Sequence, residues 1–184
     1  RLCFDGRLFN RARLEQWLGE PSQGTGDAHV LLQAISHWGV ERALEFSEGA
    51  FALAVWDLHD RALWLARDPM GERSLYYGWH GSTFRFGSEL KALQSSPEFS
   101  PAIDRDSLSL LLRHDYIPAP HTIYVGIHKL VSGALLRVGI DDHAARGSMQ
   151  AMRGGRVYWS ARREMKHALR GKSSEVASLE LATD

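Results

Sequence analysis

The thiol of Cys3 is the one strong nucleophile this sequence offers. A reactive thiol needs a nearby base or a positive setting. No His stands close to it in sequence, so residue type alone points to a buried structural Cys. The nine His are scattered. His29 and His37 fall on neighbouring faces of one helical pattern and outside a single turn, so solvated or structural imidazoles are expected there, not a metal site. Gly24-Thr25-Gly26-Asp27 precedes a helical pattern. On spacing alone it reads equally as an anion site at a helix N-terminus or as a connector ending in a cap. There is no GxxxxGK[ST] phosphate loop, no HExxH and no GxSxG. A single Cys makes no intrachain disulfide and no Cys-rich zinc site.

These groups need elements to hold them. Leu2–Phe4 reads as a short strand, and Asp5-Gly6 as a turn. Asn10 is placed to cap a helix carrying Leu14, Trp17 and Leu18, with Gly19 as its stop. Asp27 is placed to cap a second helix, with Val30, Leu31, Ala34, Ile35 and Trp38 on its apolar side and Gly39 closing it. From Gly49 to about Phe86 the pattern is strand-like. Phe51, Leu53 and Val55 alternate with Ala52, Ala54 and Trp56, so both faces are apolar and the strand belongs between two layers. Ala62–Ala66 returns as a second strand. Leu75–Trp79 and Thr83–Phe86 form a hairpin, and Ser88–Leu93 a short helix. Asp104 caps a helix containing Leu108, Leu111 and Leu112. Short strands fill Thr122–Val138, residues 141–155 read as a loop, and a helix is expected from Val157 onward.

Length and charge close further doors. The chain has 184 residues, 22 Lys+Arg and 22 Asp+Glu. That length suits one domain with the start of another. Balanced charge gives no whole-chain attraction to nucleic acid or acidic membranes. No apolar run reaches the ~20 residues of a membrane helix. The lone Cys suits a reducing, cytoplasmic setting. The chain opens on Arg1 and not on Met. This suggests that it begins inside a domain.

Spacing leaves the function open; a resemblance narrows it. Gly49–Asp57 (GAFALAVWD) looks like the GMFAFAIWD strand of glutamine-hydrolysing asparagine synthetases. Leu65–Tyr77 (LARDPMGERSLYY) resembles their LARDRxGxKPLYY segment, and Phe86–Leu93 (FGSELKAL) their FASELKAL. Tyr116–Leu130 is similar to GYxPAPxTIYxGIxKL. Four motifs stand in the family's order. The resemblance implies an N-terminal class II glutamine amidotransferase domain over residues 1–140, with 141–184 as linker and start of an ATP-dependent synthetase domain. The implied fold is α+β: the four-layer αββα arrangement of N-terminal-nucleophile hydrolases, here incomplete, with two antiparallel sheets between helical layers.

The same resemblance implies a set of site residues. The family's NGEIYN segment falls on Asp5–Asn10. Its Asn-Gly pair lines the oxyanion hole, which puts Gly6 at a donor position and Asp5 where an Asn belongs. A carboxylate there accepts hydrogen bonds and cannot donate them. Arg7 stands in place of a Glu that holds the substrate's amino group. Asp27 matches the Asp that binds the glutamine α-amino group, and His29 replaces the Glu of SDTE. The family's nucleophilic Cys is expected upstream of residue 1, so no catalytic residue is assigned within the chain and Cys3 is not the nucleophile. For Arg67, Asp68, Ser88, Glu89 and Lys129 structural roles are expected.

Two readings follow. In one, the chain is part of an asparagine synthetase-like ligase. Glutamine hydrolysis supplies ammonia for amidation of aspartate, with ATP and Mg²⁺ in a C-terminal domain of the parent. This piece alone is then inactive. In the other, it is a degenerate domain without glutaminase activity, a scaffold in a β-lactam-synthetase-like or lasso-cyclase-like amide-forming enzyme. The drift at Asp5, Arg7 and His29 favours the second. Both have small-molecule substrates, no nucleic-acid or membrane partner, and room for a homodimeric parent.

Overall fold

The computed structural model describes residues 1–19, 26–139, 155–162 and 164–165. Strand β1 (Leu2–Leu8) pairs antiparallel with β2 (Gly49–Asp57), from Leu2 opposite Val55 to Leu8 opposite Gly49. β3 (Ala62–Arg67) pairs with β2 through the turn at Asp57–Arg61, and β7 (Ala134–Gly139) pairs with β3. β8 (Arg156–Val157) closes the far side, giving the order β1-β2-β3-β7-β8. A second sheet has the order β5-β4-β6, from β4 (Tyr76–His80), β5 (Thr83–Gly87) and β6 (Ile127–Lys129).

The two sheets stack face to face. Ala52 and Ala54 of β2, Leu65 of β3 and Leu136 and Val138 of β7 pack with Tyr77 of β4, beside Trp79 and Phe84. On the other face of β2, Phe51, Leu53 and Val55 meet three helices: α1 (Arg11–Leu18), α2 (Asp27–Trp38) and α3 (Val40–Phe46). The alternation along β2 therefore serves two different cores. Its small Ala residues face the other sheet, and its large residues face the helices. Outside the second sheet, Leu90 and Leu93 of α4 (Leu90–Gln94) pack with Phe99, Tyr124 and Ile127. The layers run helix, sheet, sheet, helix.

Several local expectations change in the structure. Asp5 and Gly6 are not a turn; they lie inside β1. Gly6 has φ +145, and a Cβ there would sit 2.1 Å from the Ala50 carbonyl oxygen. Its missing side chain lets β1 and β2 approach, which a turn-based reading of Asp-Gly cannot foresee. Gly26, not Asp27, is the cap residue of α2, and Asp27 begins the helix. Asn10 does stand at the α1 cap position, but its side chain bonds the Phe46 carbonyl and the Glu48 amide instead of capping. Asp104 caps α5 (Arg105–His114), accepting from Asp106 N and Ser107 N. The Leu residues of α5 are largely exposed, Leu112 most of all. Val157 lies in β8 and not at a helix start, because Arg156 and Val157 find ladder partners in Leu135 and Ala134. Tyr158 follows them into the helix-side core. The loop at 141–154 and most of the basic segment after Val157 lie outside the described residues.

Candidate functional site

Among the described residues β1 is an edge strand, and this decides where its backbone points. Phe9 N donates to Glu48 O at 2.7 Å, and Trp56 N to Arg1 O at 2.8 Å. In an antiparallel ladder, bonded and non-bonded pairs alternate. Odd-numbered residues of β1 therefore face β2 with their N–H groups. The N–H groups of Gly6 and Leu8 are directed off the free edge. The Leu8 N–H confirms this direction, since it donates to Asp27 Oδ2 at 2.8 Å. Asp27 Oδ1 lies 3.7 Å from Arg11 Nη1. The Asp27 carboxylate thus sits along the same strand edge as the Gly6 N–H, about 6.7 Å further on by strand repeat.

The side chains of Cys3, Asp5 and Arg7 lie on the face of β1 away from the helices. Cys3 and Asp5 line a narrow cleft of about 70 Å³ with Ala52, Ala54, Leu75, Gly87 and Ser88. Cys3 is exposed, not buried. An edge strand whose inter-sheet face is only partly covered cannot bury it. Asp5 is half-exposed, and its Oδ1 lies 4.0 Å from Arg73 Nη1. Ser88, for which a structural role is expected from its motif, lines the cleft; Arg73, which motif reading did not single out, meets Asp5. Arg73 was visible as the basic residue after Asp-Pro-Met-Gly-Glu, but nothing in sequence pairs it with Asp5.

Arg67 and Asp68 take no direct part in the cleft; they hold the loop that carries Arg73. The Arg67 guanidinium is buried and donates from Nη1 to Leu130 O at 2.8 Å and from Nε to Arg73 O at 2.6 Å, with Nη2 on Gly71 O. Burial pulls its pKa down, while the nearby Asp68 and Tyr76 act in the other direction. Asp68 is fully buried and accepts from Glu72 N and Arg73 N, both at 3.0 Å. Tyr158 Oη donates to Arg67 O at 2.9 Å. Burial, and then the charge of Asp68, push the Tyr158 phenol well above its ordinary value. The expected structural roles of Arg67 and Asp68 are what the geometry gives: a clamp on the loop 68–73.

The remaining candidates scatter. His29 is exposed and two helix positions beyond Asp27, so the helix turns it away from the β1 edge. With His37, Gln33, Ser36 and Leu18 it lines a separate open hollow of about 420 Å³. Among the described residues no group of three or more His, Cys, Asp or Glu is placed to hold a metal ion. Lys129 lies over the Tyr76 ring, 5.7 Å from its centroid. Glu89 is the cap residue before α4.

Residues 1–148 match the family model described as "Glutamine amidotransferase domain". The chain is 34% identical over 133 residues to "Asparagine synthetase [glutamine-hydrolyzing] 3" of Bacillus subtilis, covering 70% of this chain and 22% of that protein. It is 29% identical over 143 residues to "Asparagine synthetase [glutamine-hydrolyzing] 1" of the same organism, covering 76% and 22%. The chain spans about a quarter of the length of the curated relatives it matches. Among solved structures it is similar to a glutamine phosphoribosylpyrophosphate amidotransferase from B. subtilis, with TM-score 0.51 and 22% identity over 76% of this chain and 27% of that one. That likeness supports the four-layer fold.

Proposed function

Because the chain belongs to the glutamine amidotransferase domain family, we propose that it forms the glutamine-facing part of an asparagine synthetase-like ligase. The observation that carries this reading is the shared strand edge. The Gly6 N–H and the Asp27 carboxylate lie along one side of β1, fixed by the Leu8 N to Asp27 Oδ2 bond. Their spacing of about two residues suits an extended glutamine side chain. Asp27 would hold the α-ammonium group by charge-assisted hydrogen bonding. The Gly6 N–H would donate to the amide oxygen as negative charge develops on it. In this proposal a Cys thiol of the parent, expected upstream of residue 1, attacks the amide carbon and forms the tetrahedral intermediate. The thiol proton passes to the amide nitrogen, the C–N bond breaks to release ammonia, and water hydrolyses the resulting glutamyl thioester to glutamate and the free thiol.

ATP and Mg²⁺ belong, in this proposal, to another domain of the parent, where aspartate would accept the ammonia. Among the described residues no group of three or more His, Cys, Asp or Glu is placed to hold a metal ion. A boundary near residue 140 and a cytoplasmic parent are part of the same proposal. No helix among the described residues is long and apolar enough to cross a membrane.

A second reading has its own observation. Asp5 places a carboxylate beside the proposed oxyanion position, and His29 turns away from Asp27. Both favour a domain that keeps the fold and has lost hydrolysis. One experiment separates the two. The full-length protein is given glutamine labelled with ¹⁵N at the side-chain amide, with ATP and aspartate. Release of glutamate with ¹⁵N in asparagine supports the ligase. ATP turnover without glutamate release supports the scaffold.

A further inference from the structure

Asp5 poses an electrostatic problem at the oxyanion position, and Arg73 is placed to answer it. Asp5 lines the cleft, and the Arg73 guanidinium stands 4.0 Å from its carboxylate, each side chain about half-exposed. Arg73 comes from the loop after β3, and its main chain is gripped from both sides. Its N–H donates to the fully buried Asp68, and its carbonyl accepts from the buried Arg67. Gly71, at φ +71, lets the loop fold against the Arg67 guanidinium; a Cβ there would lie 3.1 Å from its Cζ. The Arg67–Asp68 clamp therefore fixes the main chain of Arg73, whose guanidinium stands beside the Asp5 carboxylate. No other salt bridge of Asp5 or Arg73 exists among the described residues.

We propose that Arg73 is a charge-compensating positioning residue: it neutralises Asp5 and supplies the guanidinium donors that a carboxylate cannot offer to the oxyanion. This deepens the glutaminase reading and rests on it. A guanidinium presents several N–H donors in a fixed fork and stays charged. One N–H can hold Asp5 while another faces the substrate's amide oxygen. The pair then replaces a neutral amide donor by a zwitterionic one of no net charge.

Cys3 provides a reporter that does not need glutamine. It is exposed and lines the cleft with Asp5, on the same face of β1 and about 6.7 Å along it. In the full-length protein, peptide-resolved mass spectrometry follows alkylation at Cys3 by neutral iodoacetamide and by anionic iodoacetate. Their rate ratio reads the local field, since a loosened structure would speed both reagents alike. Arg73→Ala should lower the iodoacetate-to-iodoacetamide ratio about two- to threefold at low salt, less at high salt. Arg73→Lys should keep the ratio, and Asp5→Asn combined with Arg73→Ala should restore it. In glutamate release, Arg73→Ala should cost tenfold or more in kcat with Asp5 present, and under threefold with Asn at position 5. An unchanged alkylation ratio in Arg73→Ala overturns the pairing. Equal kcat losses in both backgrounds overturn the compensation. A shifted ratio in a protein that releases no glutamate in any variant leaves the pairing standing and overturns the glutaminase reading instead.

Discussion

The Leu8 N–H donates to the Asp27 carboxylate at 2.8 Å across nineteen residues of chain. This bond ties the first turn of α2 to the free edge of β1. It also spends one lone pair of the carboxylate that the glutamine reading needs for an ammonium group. A carboxylate has about four acceptor sites, so both uses fit.

Substitution at Asp27 should therefore split stability from binding. Asp27→Ala leaves the Leu8 N–H without its acceptor and should cost about 1–3 kcal/mol. Asp27→Asn keeps an oxygen for Leu8 but loses the charge. It should stay within about 1 kcal/mol of the parent and raise the KM for glutamine tenfold or more. Urea titration and glutamate release measure the two; equal glutamine KM in Asp27→Asn and parent would rule out the binding role.

Gly6 should tolerate no side chain. Ala at this position puts a methyl group 2.1 Å from the Ala50 carbonyl oxygen at a φ of +145. Strain and overpacking together should cost about 3 kcal/mol. The neighbouring exposed position Phe9, changed to Ala, should cost less than ~1 kcal/mol. Comparable midpoints for the two variants in urea would refute the close approach of β1 and β2.

The Arg67 clamp should not accept Lys. Three carbonyls share one planar guanidinium, and an ammonium cannot reach them together. Arg67→Lys and Arg67→Met should each destabilise by about 3 kcal/mol, because buried carbonyls lose their donors. Arg67→Met should also free the 68–73 loop, seen as faster amide exchange at Glu72 and Arg73. Protected amides there would show that Asp68 alone holds the loop.

Asp104 gives a pH signature. Burial pushes its carboxyl up, but hydrogen bonds from Ser107 N, Ser107 Oγ and Asp106 N outweigh this and hold it below its ordinary value. A depressed pKa in the fold contributes stability that is present above the unfolded value, near 3.8, and is lost as pH falls through the folded value. Asp104→Asn should flatten the acid limb of stability below about pH 4 while keeping part of the cap. Identical acid limbs would contradict the assignment.

Tyr158 behaves in the opposite sense. Its raised pKa makes the neutral phenol part of the fold, so its contribution is complete below about pH 10 and lost above. Tyr158→Phe should cost about 1 kcal/mol at pH 7 through the lost bond to Arg67 O. It should also weaken the alkaline loss of stability. An alkaline limb equal to the parent's would count against this role.

Much of the architecture can be read from local pattern. The two-faced apolar run Phe51–Trp56 announces a strand between layers. The Asp104 cap, the β4–β5 hairpin and the motif order need only neighbours in sequence, because caps, turns and alternation are short-range physics. Gly6 and Asp27 were likewise nameable as candidates from motif position. Tertiary structure alone decided what surrounds them. Asp-Gly becomes strand and not turn because β2 lies against it and leaves no room for a Cβ. Cys3 stays exposed because β1 is an edge whose second face is only partly covered. Arg73 meets Asp5 because a buried Arg67–Asp68 clamp folds one loop onto another strand. Such pairings depend on which chain segments are brought side by side. No spacing within either segment encodes that.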